Sequence, residues 1–281
     1  METHQKIHII AGPTASGKSA RAIELANQHN GVILNADATQ CYADLQILSA
    51  RPDAAELAKA EHRLYGIWQG DKVASVGDWL AAIKPEIEQC WNEEKLPIVC
   101  GGTGFYLKAL MEGLSPIPEI EPSIREALGL VDNSALYATL KSVDAEAAES
   151  IDEHNRQRLI RAVEVYEGTG KPMSEWQAIA KQPPFPNAEF ELEVISLPRE
   201  ELYERCNRRF ELMLAAGALE EVESLLDKGY AADAPVMKAV GVPEITAYLH
   251  GEINLEEAGE LSKQNTRRYA KRQLTWLRNQ F

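Results

Sequence analysis

Gly12-Pro13-Thr14-Ala15-Ser16-Gly17-Lys18-Ser19 fits the pattern G-x-x-x-x-G-K-[ST] at every fixed position. Each residue type has a chemical reason to be there. Glycines let successive backbone N–H groups turn inward as an anion cradle. A helix opening at Lys18 adds the positive end of its dipole. Lys18 contributes a mobile full charge, and the Ser19 hydroxyl can join a Mg2+ shell. The chemistry on offer is the binding of a phosphate or diphosphate. The motif by itself does not specify ATP. A P-loop kinase normally has a later strand ending in a Mg2+-binding Asp, whereas Ile98-Val99-Cys100 runs into Gly101-Gly102-Thr103-Gly104.

Asp37 ends a second short apolar segment, and Gln40 and Thr103 are expected to face the same cleft. Asp37 could ligate Mg2+, accept a proton from a nucleophile or cap a helix, and its position leaves all three open. A carboxylate, an amide and a hydroxyl beside a phosphate site suit recognition of a nucleobase edge. Arg205, Arg208 and Arg209 fall at i, i+3 and i+4, so they share one helix face, which by itself reads as a solvated one.

These side chains need strands that end in turns. Ile7 to Ala11, Gly31 to Asn35 and Leu96 to Cys100 read as buried strands, with helices over Lys18 to Gln28 and Asp78 to Trp91. In the second helix Trp79, Ile83, Ile87 and Trp91 recur every four residues. Alternating strands and helices predict an α/β fold: a P-loop NTPase-like core with a mainly parallel sheet, binding ligands at the strand C-termini. The pattern changes after Gly113. Pro116, Pro118 and Pro122 mark one linker and Pro183, Pro184 and Pro186 another. Between them the chain reads as helical, most clearly over Arg156 to Glu167, where Leu159, Ala162, Val163 and Tyr166 follow i, i+3, i+4, i+7. The expected organisation is a core domain of residues 1–113 and 190–281 around a helical insertion domain, 114–189. A returning strand is expected over Phe190 to Leu197, then helices at Arg199 to Ala216, Leu219 to Lys228 and Ile253 to about Leu277.

The chain has 281 residues, 45% apolar and 26% charged, which allows a sizeable core in one or two domains. Its formal charge of −14 excludes a general polyanion binder, so any nucleic-acid surface must be local. Lys263 to Phe281 holds six basic residues and no acidic one. Arg267 with Lys271, and Arg268 with Arg272, lie i, i+4 apart and can form a phosphate-tracking stripe, with Tyr269 and Trp276 available for packing or stacking. Gln157, Arg158 and Arg161 offer a second contact, and Arg125 a weaker one. The four cysteines, Cys41, Cys90, Cys100 and Cys206, form no C-x-x-C pair. His4, His8, His29, His62, His154 and His250 show no metal-ligand spacing. Met1 to His8 lacks the apolar core of a signal peptide, and no run is long enough to cross a bilayer. A reduced, cytoplasmic protein without membrane contact is the expectation.

The motifs also occur in a recognisable order. After the P-loop come Asp37-Ala38-Thr39-Gln40-Cys41-Tyr42, Ser49-Ala50-Arg51-Pro52, and Gly101-Gly102-Thr103-Gly104-Phe105-Tyr106. Then follow Gln157-Arg158-Leu159-Ile160-Arg161, Arg205 to Phe210, and Thr266-Arg267-Arg268-Tyr269-Ala270-Lys271-Arg272-Gln273-Leu274-Thr275-Trp276. This set resembles the bacterial tRNA dimethylallyltransferases, from Ile7 to Arg278. The GGTG segment and the Ala-Lys-Arg-Gln-x-Thr-Trp run carry more specificity than the P-loop.

The resemblance implies transfer of a dimethylallyl group from dimethylallyl diphosphate to N6 of the adenosine 3′-adjacent to the anticodon, in tRNAs reading codons that begin with U. It implies that Gly12 to Ser19 hold the diphosphate with Mg2+ at Ser19, that Asp37 is the base and that Thr103 lines the channel. It places Arg209 near the diphosphate as a second cation beside Lys18. It carries tRNA contacts over to Asp37, Ala38, Thr39, Gln40, Thr103, Arg125, Gln157, Arg158, Leu159, Ile160, Arg161, Arg267, Arg268, Lys271 and Arg272. One departure is Ala38, where the family usually has Ser. Losing that hydroxyl removes one hydrogen bond, worth about 1 kcal/mol or several-fold in rate. No His/Cys pattern matches the zinc finger of eukaryotic relatives. A monomer embracing the anticodon stem-loop is expected. Competing readings are a P-loop small-molecule or nucleotide kinase, a non-catalytic RNA-binding protein, and prenylation of free AMP or ADP.

Overall fold

Short apolar runs become the strands of a single sheet. The computed structural model describes residues 5–281; Met1 to His4, with one histidine and most of the polar N-terminal segment, lie outside the described residues. The strands are β1 (Lys6–Ala11), β2 (Gly31–Asn35), β3 (Glu61–Arg63), β4 (Leu96–Gly101) and β5 (Glu189–Val194). They lie in the order β3-β2-β4-β1-β5, with every neighbouring pair parallel. Parallel strands flanked by helices are buried on both faces, and β1, β2 and β4 are buried along nearly their whole length. β5 is an edge strand whose Glu189, Glu191 and Glu193 alternate with Phe190 and Leu192. It ends at Val194, earlier than the expected Leu197. Because β1 pairs with β4 on one side and β5 on the other, the turns leaving β1, β2 and β4 gather at one edge of the sheet.

Two helices hold that edge in place. Lys18–His29 begins in the phosphate-binding turn and stops where Asn30 takes a left-handed conformation, φ 51°. Val76–Asn92 starts with a capping box between Ser75 and Asp78. It buries Trp79, Ile83 and Ile87 against the sheet, while Trp91 stays partly exposed and its indole donates to the Lys6 carbonyl at 3.0 Å. The Trp79 indole donates to the Asn35 carbonyl at 2.9 Å and stacks on Tyr106, ring centroids 4.5 Å apart.

Three short elements were not expected from sequence. β3 is three polar residues, and Arg63 there gathers Glu61, Glu86 and Glu93. Gly104–Glu112 and Val242–Leu249 are helices that open directly from glycine turns. The later core helices are Arg199–Ala215, Ala218–Leu226 and Leu255–Gln280, the last capped by Asn254 with Glu257.

The chain divides into two compact units. One runs to Met111 and resumes over Phe185–Phe281, and it contains the sheet. The other, Glu112–Pro184, is helical. Its helices include Asn133–Val143 and Arg156–Thr169, capped by Asp132 and Asn155, and its core is built from Leu136, Leu140, Leu159, Ala162 and Val163. A bridge between Leu114 and Gln182 joins the two ends of this unit. Among the described residues no helix is long and apolar enough to cross a membrane.

Candidate active site

The P-loop leaves β1 and turns tightly. Ser16 N donates to the Pro13 carbonyl at 3.2 Å, and both Ala15 (φ 62°) and Gly17 (φ 96°) are left-handed. Gly17 takes this conformation freely, whereas Ala15 does so against a cost of roughly 1–2 kcal/mol. The first amides of the Lys18–His29 helix have no intrahelical acceptor, so they remain for a ligand. Lys18 is buried, and its ammonium leans on the Pro13 carbonyl at 3.4 Å. Arg209, from the Arg199–Ala215 helix, reaches the same loop, and its Nη2 donates to the Thr14 hydroxyl. Burial lowers the pKa of both cations, and the Asp37 charge opposes the shift in each. Ser16 Oγ and Arg209 Nε are buried without a hydrogen-bond partner among the described residues. Unpaired buried polar atoms are uncommon, and here they suit an anion's oxygens.

Asp37 is aimed by its neighbours. Asn35 is fully buried; its Oδ1 accepts the Asp37 amide at 2.9 Å and its Nδ2 donates to the Asp37 carbonyl at 3.0 Å and to Leu64 O at 3.2 Å. The Asp37 carboxylate accepts the Thr39 amide at 3.1 Å, so it also terminates a local turn. Thr103 arrives from the end of β4. Its hydroxyl accepts the Ala38 amide at 2.9 Å and its own amide donates to Ala36 O at 3.1 Å. A Cβ on Gly101 would collide with the Ala36 backbone, so only glycine lets the two turns approach. The Asp37 segment is therefore joined to Thr103 through the Ala36 carbonyl and the Ala38 amide, the latter bound by the Thr103 hydroxyl, and a side chain at 38 is not needed for that joint.

Gln40 plays a structural part as well. Its amide nitrogen donates to Ser49 O at 3.0 Å and Ala50 O at 2.7 Å, tying in the loop that carries Arg51. Cys41 is buried under Asn35, and burial pushes its thiol up to about 12. The phenols of Tyr65 and Tyr269 are both shifted upward. For Tyr269 the Asp37 charge is the largest cause, and for Tyr65 it is burial. Sequence reasoning gave no role to Asn35, Tyr65 or Gln273. Gln273 Oε1 accepts the Thr14 amide at 2.8 Å. The position of Asn35 at a strand end was a usable signal, and Gln273 is the glutamine of the Ala-Lys-Arg-Gln-x-Thr-Trp run, which marked the segment without assigning this side chain a task; nothing local marked Tyr65.

The basic residues divide. Arg268, Lys271 and Arg272 are exposed and line a surface cavity of about 450 Å3 with Thr275, Trp276 and Asn279. The Arg272 guanidinium lies 5.8 Å from the Tyr269 ring centre. Arg267 turns to the other side, where its Nη1 donates to Asn207 Oδ1 at 2.6 Å. In the helical unit Gln157 and Arg158 are exposed. Arg161 and Arg125 both point to the buried Glu164 carboxylate, at 3.0 and 3.6 Å. Leu159, expected among the RNA contacts, is a correction: it is fully buried in that unit's core, so its side chain is scaffold. Ile160 is partly buried against the same core. Thr39 is partly exposed beside Asp37. Among the described residues no group of three or more His, Cys, Asp or Glu could hold a metal; Ser19 is exposed in the first turn of its helix.

A parallel sheet with a filled-out G-x-x-x-x-G-K-S turn and converging cations defines a P-loop α/β protein built around an anion site. Residues 40–280 match the profile of the family described as IPP transferase. Similar proteins include the tRNA dimethylallyltransferases of Azorhizobium caulinodans and Rhodospirillum rubrum. The first is 45% identical, covering 97% of this chain and 88% of the relative. The second is 46% identical, covering 97% and 85%. Among solved structures, the tRNA isopentenylpyrophosphate transferase of Bacillus halodurans matches with a TM-score of 0.71 at 32% identity, over 98% of this chain and 88% of that one. A eukaryotic dimethylallyltransferase seen acting on tRNA matches with a TM-score of 0.84 at 27% identity, over 97% and 69%. The chain belongs to the IPP transferase family. Membership sets aside the kinase alternative.

Proposed function

We propose that this protein transfers a dimethylallyl group from dimethylallyl diphosphate to N6 of the adenosine 3′-adjacent to the anticodon in tRNAs reading codons that begin with U. The products are N6-(dimethylallyl)adenosine and diphosphate. The observation that carries the reading is the meeting of a buried Lys18–Arg209 anion site with Asp37 and Thr103 at one sheet edge. Family membership supplies the prenyl donor and the tRNA acceptor, and free AMP or ADP would not call for the exposed Arg268, Lys271 and Arg272.

The chemistry needs alignment, stabilisation of the leaving group and removal of one proton. The C–O bond to diphosphate breaks as the N6–carbon bond forms. Lys18, Arg209 and the P-loop amides take the charge that develops on the diphosphate. Asp37 orients the N6 amine and accepts its proton. Thr103 holds the Ala38 amide and so fixes the segment that carries Asp37. The Ser19 hydroxyl, a hard oxygen donor, would hold Mg2+ together with donor oxygens, and the ion supplies further neutralisation of the diphosphate. The acceptor meets the exposed face of the Leu255–Gln280 helix. We place the protein in the cytoplasm as a monomer.

The test is transfer of labelled dimethylallyl to an unmodified anticodon stem-loop. Asp37→Ala is expected to slow transfer by about 10^2–10^4-fold, the usual worth of a positioned base. Replacing the target adenosine should abolish it. ATP turnover without prenyl transfer would overturn the proposal.

A further inference from the structure

Gln273 is buried between two segments of the donor site, although it belongs to the C-terminal helix. Its Oε1 accepts the Thr14 amide at 2.8 Å and its Nε2 donates to the Gly102 carbonyl at 3.0 Å. One side-chain amide thus spans the P-loop after β1 and the glycine turn after β4. Thr14 is held from both sides, since its hydroxyl takes the bond from Arg209. Gly102 answers to the same contact. A Cβ there would run into Gln273 Nε2 and come within 3.1 Å of Gly12 O. The loop needs such a restraint, because the next residue, Ala15, sits at φ 62°.

We infer that Gln273 is a positioning residue of the donor site, holding the P-loop in its diphosphate-binding shape without touching the donor. The inference rests on the reading that the P-loop takes the donor's diphosphate. Both halves of the amide are engaged, so it fixes the spacing between the two turns. An apolar replacement leaves a buried N–H and a buried C=O unpaired. The strained loop then relaxes by rotating the Thr14 peptide, and the cradle opens.

Gln273→Met keeps the volume and removes both bonds. Inorganic pyrophosphate binding by calorimetry, stem-loop affinity and steady-state transfer are measured together. Pyrophosphate Kd and the donor KM are expected to rise about tenfold, the scale of one to two buried hydrogen bonds. Stem-loop Kd should stay within about twofold, because the basic face of the helix is retained. Gly102→Ala displaces the Gln273 amide from the other side and should reproduce the donor defect. The double variant should then be no worse than the poorer single one, since both break one contact. Gly102→Ala also keeps the question answerable if Gln273→Met does not fold. A lower kcat with an unchanged donor KM and pyrophosphate Kd overturns the inference, because that is loss of active protein. Wild-type protein that binds pyrophosphate no better than Lys18→Ala overturns the donor-site reading and this inference with it.

Discussion

At the scale of single residues, Lys18 carries a signature that separates a working anion site from an inert turn. Burial lowers its pKa, and the Asp37 charge resists the shift. A bound diphosphate restores the pull toward the ammonium form, so binding takes up a proton once pH exceeds the lowered value. Pyrophosphate affinity should therefore fall as pH rises, by up to about tenfold per unit for one linked proton. Lys18→Arg is the reference, since a guanidinium stays charged and the ligand's own titration cancels between the two proteins. Calorimetry across neutral to alkaline pH reads the difference, and equal slopes would show that Lys18 does not titrate with binding.

At the scale of elements, the Val76–Asn92 helix is the brace of the Asp37 turn. Trp79 touches it through the Asn35 carbonyl, and Asn35 in turn holds Asp37. Trp79→Ala should destabilise the protein by about 3–5 kcal/mol, seen as a lower urea midpoint. Trp79→Phe retains a ring to stack on Tyr106 and should lose far less, with about 1 kcal/mol assigned to the missing indole bond. Similar losses for both variants would show that the bond, not the ring, supports the turn. The Gly104–Glu112 helix meets the C-terminal helix with no clearance, since a Cβ on Gly104 would collide with the Trp276 ring. Two sequence motifs far apart in the chain are thus one packing unit.

At the scale of the whole molecule, the charge of −14 repels RNA, so binding must rest on a few well-placed cations. Arg268, Lys271 and Arg272 are exposed along one stretch of helix, while Arg267 and Lys263 are engaged with Asn207, Glu211 and Glu260. Lys271→Ala should weaken stem-loop binding evenly across sequences and reduce the log–log salt slope by about 0.7–1, one phosphate contact. Arg267→Ala should leave that slope unchanged. A slope altered equally by both would place the RNA face elsewhere on the helix.

Apolar period and turn chemistry are local, so they were legible in the sequence: β1, β2 and β4, the long helices and the eight-residue P-loop follow from them. The family order of motifs likewise pointed to Asp37, Thr103 and Arg209. Strand order and β3 were not legible, because they rest on contacts between distant segments and on polar partners; the two helices that open from glycine turns do bury apolar residues, but at eight and nine residues they offer only two turns of pattern. The side chains that aim the site were not legible either. Gln273, Asn35 and the Glu164 that gathers Arg125 and Arg161 act through partners set by folding. Leu159 shows the converse, since a residue inside a functional motif can still belong to the core. The amino-acid order was enough to name the chemical groups and to put the P-loop, Asp37 and Thr103 in turns that follow strands. Which of them face one another follows from the folded arrangement, because hydrogen bonds and steric clearance act over ångströms in space and carry no fixed spacing along the chain.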